Sequence, residues 1–182
     1  MMSRDSVKIR GSADTSYLHQ TIDKMIWELM EKEQIPGLTL AIVQAPYIPR
    51  VVGYGLSDEQ QRRLASPNTL WPIGPISQAF TAVAVMQLYE AGKLDINDPL
   101  GRYIADLPPA WQNITVLQLL RHASGIADYR RHENWKPFRE WTFTELISLA
   151  AEEDLHFNPG SDVELSATNF LLLTEIIEAA SG

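Results

Sequence analysis

Between Pro75 and Gly92 lies the segment that most restricts how this chain can fold. Phe80, Val83, Ala84, Val85, Met86 and Leu88 follow one another so closely that every turn of a helix there carries apolar bulk. Proline suits the first turn of a helix, where its missing N–H would have no partner in any case, and glycine suits the position just past the last turn. The spacing predicts a helix from Pro75 to Ala91. It is too apolar for a surface position and is expected to be buried on most sides.

The flanking sequence reads as an α+β arrangement. Residues 1–14 are polar and small and are expected to form a flexible arm. From Ser16 to Glu33, Ile22, Met25, Ile26, Leu29 and Met30 recur at helical spacing and predict one buried stripe, stopped by Pro36-Gly37. Leu38 to Val43 and Arg50 to Gly55 read as strands, and the loop Ala45 to Pro49 joins them as an antiparallel hairpin. From Ser66 onward the chain is mostly helical. A short polar helix or turn spans Asp95 to Ile104. Thr115 caps a helix that runs through Arg121 and ends at Ser124-Gly125. Thr142 and Glu145 form a capping-box pattern for a helix to about Glu152. Asn158-Pro159-Gly160 makes a turn, and Thr168 to Ala180 a last apolar helix. Residues 15–182 are expected to form a single domain, with an α/β part over 15–65 and a mostly helical part over 66–182. There is no internal repeat.

Composition narrows the function classes. A chain of 182 residues with 45% hydrophobic content can bury a core. Its net charge of −8 argues against nucleic acid or an anionic membrane as partner, because both select clustered cations. No cysteine is present, which removes disulfides, thiolate metal sites and cysteine nucleophiles. His19, His132 and His156 lack the helical spacing of a zinc site, so no metal is expected. Met1 to Lys8 lacks the apolar centre of a signal peptide. No apolar run is long enough to span a bilayer. The chain as written is expected to be soluble and cytoplasmic, or periplasmic or secreted had a leader been removed.

Five segments, in order, carry a resemblance. They are Leu70 to Ala82, with Trp71-Pro72-Ile73-Gly74-Pro75-Ile76-Ser77-Gln78-Ala79-Phe80 at its centre; Gly92 to Leu100; Ile114 to Ile126; Phe157-Asn158-Pro159-Gly160 with Leu165 to Phe170; and Leu171 to Gly182. Together they cover most of residues 35–182. The chain resembles the serine β-lactamase and penicillin-binding-protein superfamily, in its class C β-lactamase and esterase branch. The resemblance implies a partial β-lactamase-like (DD-peptidase-like) fold. It would comprise the N-terminal half or so: a terminal helix, a short antiparallel sheet portion and a helical lobe. The sheet strand that carries a Lys-Thr-Gly or His-x-Gly motif in the family has no counterpart in the sequence. No cofactor is implied.

In that family a serine at the start of a helix attacks a carbonyl, and a lysine one turn later lies on the same face. A Tyr-x-Asn motif supplies further proton-handling and substrate-binding groups. Here the four positions are Pro75, Gln78, Leu165 and Ala167. Proline offers neither a hydroxyl nor an N–H for the oxyanion, and losing one such donor costs about a hundredfold or more in rate. Glutamine neither takes up a proton near neutral pH nor carries charge. Leucine has no proton to give, and alanine cannot bond a substrate amide. The same changes are mild toward the fold, since proline opens helices well and glutamine forms them well. No intact catalytic set is therefore expected.

Ser77 is a weak candidate for a displaced nucleophile, because Phe80 rather than lysine lies three residues on. The plain reading is a serine making a local bond at a helix start. His122 and Ser124 are close in sequence and read more simply as a turn at a helix end. Trp111, Trp135, Trp141 and Tyr129 are read mainly as packing groups, with the lip of a cleft as the alternative. Arg130-Arg131 reads as a solvated cationic patch. The expectation is a catalytically silent member of a serine hydrolase family, acting as a binding or assembly module. A small-molecule ligand in a vestigial cleft, self-association, or a second chain completing the sheet would be its partners. The alternative is a working esterase, β-lactamase or D-peptidase with a non-standard nucleophile and a cleft completed by another chain.

Overall fold

Helix α1 (Ser16–Lys32) begins the described part of the chain and packs on a hairpin of β1 (Gly37–Gln44) and β2 (Tyr47–Asp58). The computed structural model describes residues 16–44 and 47–182, with side chains for 22–42 and 50–182; the expected arm, 1–14, and part of the hairpin loop lie outside the described residues. The chain divides into two units, Met1–Pro72 and Ile73–Gly182.

In the first unit, Met30, Val52 and Tyr54 form a small core, joined by Ile26, Trp27, Ile35, Leu38 and Leu40. The predicted stripe on α1 is corrected in part. Ile26 and Met30 face the hairpin, but Met25 and Leu29 are exposed. The buried face is turned toward Trp27, which meets the Tyr54 ring edge-on at 5.8 Å. Asp23 also lies on that face, accepting from the Tyr54 hydroxyl and the Arg50 guanidinium. A buried carboxylate is tolerated when it is paired in this way. Burial, with Asp23 alongside, pushes the Tyr54 phenol well above its ordinary range.

The hairpin is antiparallel as the sequence predicts, with Leu38 opposite Tyr54 and Leu40 opposite Val52. A short strand that the sequence did not announce, β3 (Arg63–Leu64), pairs with the other side of β2, giving the order β1-β2-β3. Gly53 permits a tight crossing here. A Cβ on it would stand 2.2 Å from the Ala65 carbonyl oxygen, so only glycine admits that approach. Thr39 ties the crossing down: its hydroxyl donates to the Ser66 carbonyl at 3.0 Å and accepts from Trp71 Nε1 at 2.9 Å.

The second unit is helical. A 3₁₀ turn, Gly74–Ile76, leads into α2 (Ser77–Glu90), followed by α3 (Val116–Leu120), α4 (Phe143–Ala151) and α5 (Ala167–Ser181). Its core centres on Val85, Leu100, Ile114, Leu119, Leu172 and Ile176, and α5 packs against α2, α3 and α4. Local chemistry explains the helix ends. Thr115 and Gln118 form a reciprocal capping box on α3, and Thr142 and Glu145 form another on α4. Gly92, at φ +67°, closes α2 in the left-handed conformation that glycine adopts without strain.

One expectation fails here. Helix α2 is not buried on most sides: among its residues only Val85 is buried, while Phe80 is 68% and Val83 58% exposed. Ile76, Phe80, Val83 and Met86 share the face away from Val85 and are all exposed. Apolar density told how much cover the helix can accept, but not how much the rest of the chain provides. Among the described residues no helix is long and apolar enough to cross a membrane.

Candidate functional site

Pro75 sits in the 3₁₀ turn before α2, and the Ser77 N–H returns to the carbonyls of Gly74 and Pro75. Pro75 and Gln78, three residues apart, both border one cavity of about 280 Å³. Ser77 and Thr81 join them from α2. Tyr129 and Arg130 come from the turn beyond α3, and Ala167, Phe170, Leu171 and Thr174 from α5. The structure thus brings together Pro75, Ser77, Gln78 and Ala167. Leu165 is not part of this lining and stands 68% exposed.

Behind the cavity lies a buried polar network centred on His122. Its Nδ1 accepts from the Ser166 N–H at 3.3 Å and from Asn169 Nδ2 at 3.2 Å. Two donors at Nδ1 assign the proton to Nε2, which faces Gln78 Oε1 at 3.4 Å. Burial pushes the His122 pKa below its ordinary value, against the opposing charge of Asp128, so the ring is neutral near pH 7. His122 also holds φ +54°, which ends α3 in the left-handed region. The amide at position 78 is therefore bonded to a neutral imidazole, a partner well matched to an amide carbonyl.

His122 and Ser124 do not form a dyad. The Ser124 hydroxyl donates to Asn169 Oδ1 at 2.5 Å and accepts from the Ile126 N–H at 3.0 Å. These bonds, with those of Ser166 and Thr168 to the Ala127 carbonyl, fasten the loop after α3 to the start of α5. Asp128 extends the seam. Burial raises its carboxyl pKa, but bonds from the Arg130 side chain, the Arg130 N–H and the Ala167 N–H outweigh that and hold it below the ordinary range. Sequence reasoning missed this aspartate, although an aspartate whose side chain accepts from the backbone N–H two residues on is a usual turn former.

Arg130 and Arg131 are both exposed, as a solvated patch would be, and each is ion-paired, Arg130 with Asp128 and Arg131 with Glu164. Trp111 is buried in the core. Trp135 lies 6.4 Å from the Tyr129 ring, and Trp141 Nε1 donates to the Lys136 carbonyl; of these aromatics only Tyr129 borders the cavity. His132 pairs with Glu152, and His156 with both Glu153 and Glu164. No cluster of His, Asp or Glu able to hold a metal occurs among the described residues.

A larger hollow of about 490 Å³ lies elsewhere, bordered by Tyr103, Leu107, Phe143, Ile147 and Glu175. No nucleophile is paired with a base there. The smaller cavity at the start of α2 carries the chemically informative positions. It has no hydroxyl or N–H at residue 75, and the Ser77 hydroxyl has no base bonded to it among the described residues.

The family model for β-lactamase matches residues 22–182, and the chain belongs to that family. It is 30% identical to Protein flp of Staphylococcus aureus strain N315 over 168 residues, covering 90% of this chain and 34% of that protein. The octameric penicillin-binding protein homologue of Pyrococcus abyssi superposes with a TM-score of 0.72 at 29% identity, covering 90% of this chain and 39% of that one. The penicillin-binding protein of Bacillus halodurans gives 0.67 at 28% identity, covering 86% and 48%. The chain thus spans about a third of the length of the curated relatives it matches. The α+β partial β-lactamase fold anticipated from the five segments is the one observed.

Proposed function

We propose that this chain is a catalytically silent member of the β-lactamase family, retaining a small-molecule cleft at the start of α2 and acting as a binding or assembly module. The observation that carries this reading is the pairing at the cleft: Pro75 stands at the family's nucleophile position, and Gln78 is engaged by His122 rather than poised beside a hydroxyl. Acyl transfer needs a nucleophile and a base within hydrogen-bond reach, and the lining provides neither in partnership. The assembly part of the reading is supported by the exposed apolar row of Ile76, in the turn before α2, and Phe80, Val83 and Met86 on α2, of the kind that marks contact surfaces.

Incubation with a fluorescent penicillin, followed by intact-mass measurement, tests the silence of the cleft. The expected result is an unchanged mass. A stoichiometric adduct that is lost in Ser77→Ala would overturn the reading in favour of a hydrolase acting on an ester, a β-lactam or a D-amino-acid peptide.

A further inference from the structure

The buried network behind the cleft sets which way the Gln78 amide faces, and we propose that His122 is thereby a positioning residue that makes Gln78 an N–H donor to a small carboxylate with an apolar body. This inference rests on the cleft of the proposed function and names the class of ligand that the cleft takes.

One backbone group orders the network. The Ser166 N–H is a donor in every protonation state, and it meets His122 Nδ1 at 3.3 Å. Nδ1 therefore holds a lone pair, and the ring carries its hydrogen on Nε2. The Asn169 atom at 3.2 Å from Nδ1 is then the amide nitrogen, which leaves Oδ1 to accept from the Ser124 hydroxyl at 2.5 Å. Beyond the ring, Nε2–H needs an acceptor, so Gln78 turns Oε1 toward it, at 3.4 Å. The Gln78 amide nitrogen, with its two N–H bonds, is directed away from His122. Gln78 borders the cavity and His122 does not. Among the described residues the Gln78 amide nitrogen has no partner.

The rest of the lining favours the same ligand. Asp128 takes Nε and Nη2 of Arg130, so Nη1 remains as a donor. Burial pushes the Tyr129 pKa up, which keeps the phenol O–H as a donor near neutral pH. Thr81 and Thr174 spend their hydroxyl hydrogens on the Ser77 and Leu171 carbonyls of their own helices. Phe170 and Leu171 supply apolar surface, and about 280 Å³ exceeds the roughly 150 Å³ that takes a benzene ring. A carboxylate offers only acceptors and matches the donors at Gln78 and Arg130. An ammonium group offers only donors and would face N–H groups there.

Titration of the isotope-labelled chain with benzoate, benzyl alcohol and benzylamine, followed by proton–nitrogen correlation spectra, is the test. The His122 ring should appear as the Nε2–H tautomer. Benzoate should shift the Gln78 side-chain amide signals and bind more tightly than benzyl alcohol, with benzylamine weakest. Gln78→Glu keeps an oxygen for Nε2–H and replaces the donor by a carboxylate. It should weaken benzoate about tenfold or more while leaving the His122 tautomer unchanged, which also reports that the variant is folded. An Nδ1–H tautomer in the wild-type chain overturns the inference. So does equal benzoate affinity in Gln78→Glu, or benzylamine bound as tightly as benzoate. If benzyl alcohol shifts the cleft signals and benzoate does not, the cleft stands and this inference falls; if no probe shifts them, both fall.

Discussion

Asn169 shows how much one buried side chain holds at the centre of the second unit. Its amide donates to His122 Nδ1 and its carbonyl accepts from Ser124, so one residue of α5 satisfies two groups of the loop after α3. Replacing it with leucine leaves the buried Ser124 hydroxyl without an acceptor, while His122 Nδ1 keeps only the Ser166 N–H. Asn169→Leu is expected to cost about 1–3 kcal/mol for the donor left unsatisfied, read as a lower urea midpoint with an unchanged slope. Gln78→Leu, by contrast, removes only the long bond to Nε2 at the cavity edge and should cost about 1 kcal/mol or less. If the Gln78 substitution proved the more damaging of the two, the tautomer assigned to His122 would be wrong.

Among the elements, α2 and α4 make opposite demands. The α4 capping box is local and complete, with the Thr142 hydroxyl accepting from the Glu145 N–H at 3.2 Å while the Glu145 carboxylate takes the Thr142 N–H at 2.9 Å. Thr142→Ala should therefore cost about 1 kcal/mol, measured by thermal or urea unfolding. On α2, Phe80→Gln and Val83→Gln change exposed positions and should move stability by no more than about 0.5 kcal/mol. They should nonetheless reduce the binding of an apolar dye such as ANS, because they break the strip. A large loss of stability in either variant would mean that the strip is covered in solution. Legibility in the sequence followed the same division. Caps, the hairpin and the closing glycine of α2 are set by neighbouring residues, so spacing alone located them. The burial of α2, the turning of α1 toward Trp27 and the strand β3 depend on what packs from far along the chain, and periodicity carries no such information. At the candidate site, the changed identities of Pro75 and Gln78 were visible against the family pattern. The His122–Asn169–Gln78 linkage joins residues 44 and 47 positions apart, and no local signal marks it.

For the molecule as a whole, two histidines set opposite limits on the pH range of stability. His122 is buried and neutral, with its pKa pushed below the ordinary 6.5. Its contribution is present above 6.5 and is lost as pH falls through the lowered value. His156 donates to Glu164 at 2.6 Å and to Glu153 at 3.1 Å, and those carboxylates raise its pKa above 6.5. Its contribution is complete below 6.5 and is lost as pH rises through the raised value. Melting temperature should thus decline on both sides of that region. His156→Gln should flatten the alkaline decline while leaving the acid one, and an alkaline decline of undiminished size in that variant would refute this account of His156.

The shared lining of the cleft by residues 75 and 78 has a consequence in the language of genes. Proline codons differ from one set of serine codons only at the first base, and glutamine codons differ from those of lysine in the same way. Under the proposed reading, single first-base changes would set a serine at 75 and a lysine at 78 on the border of one cavity, whereas Leu165 stands outside that lining.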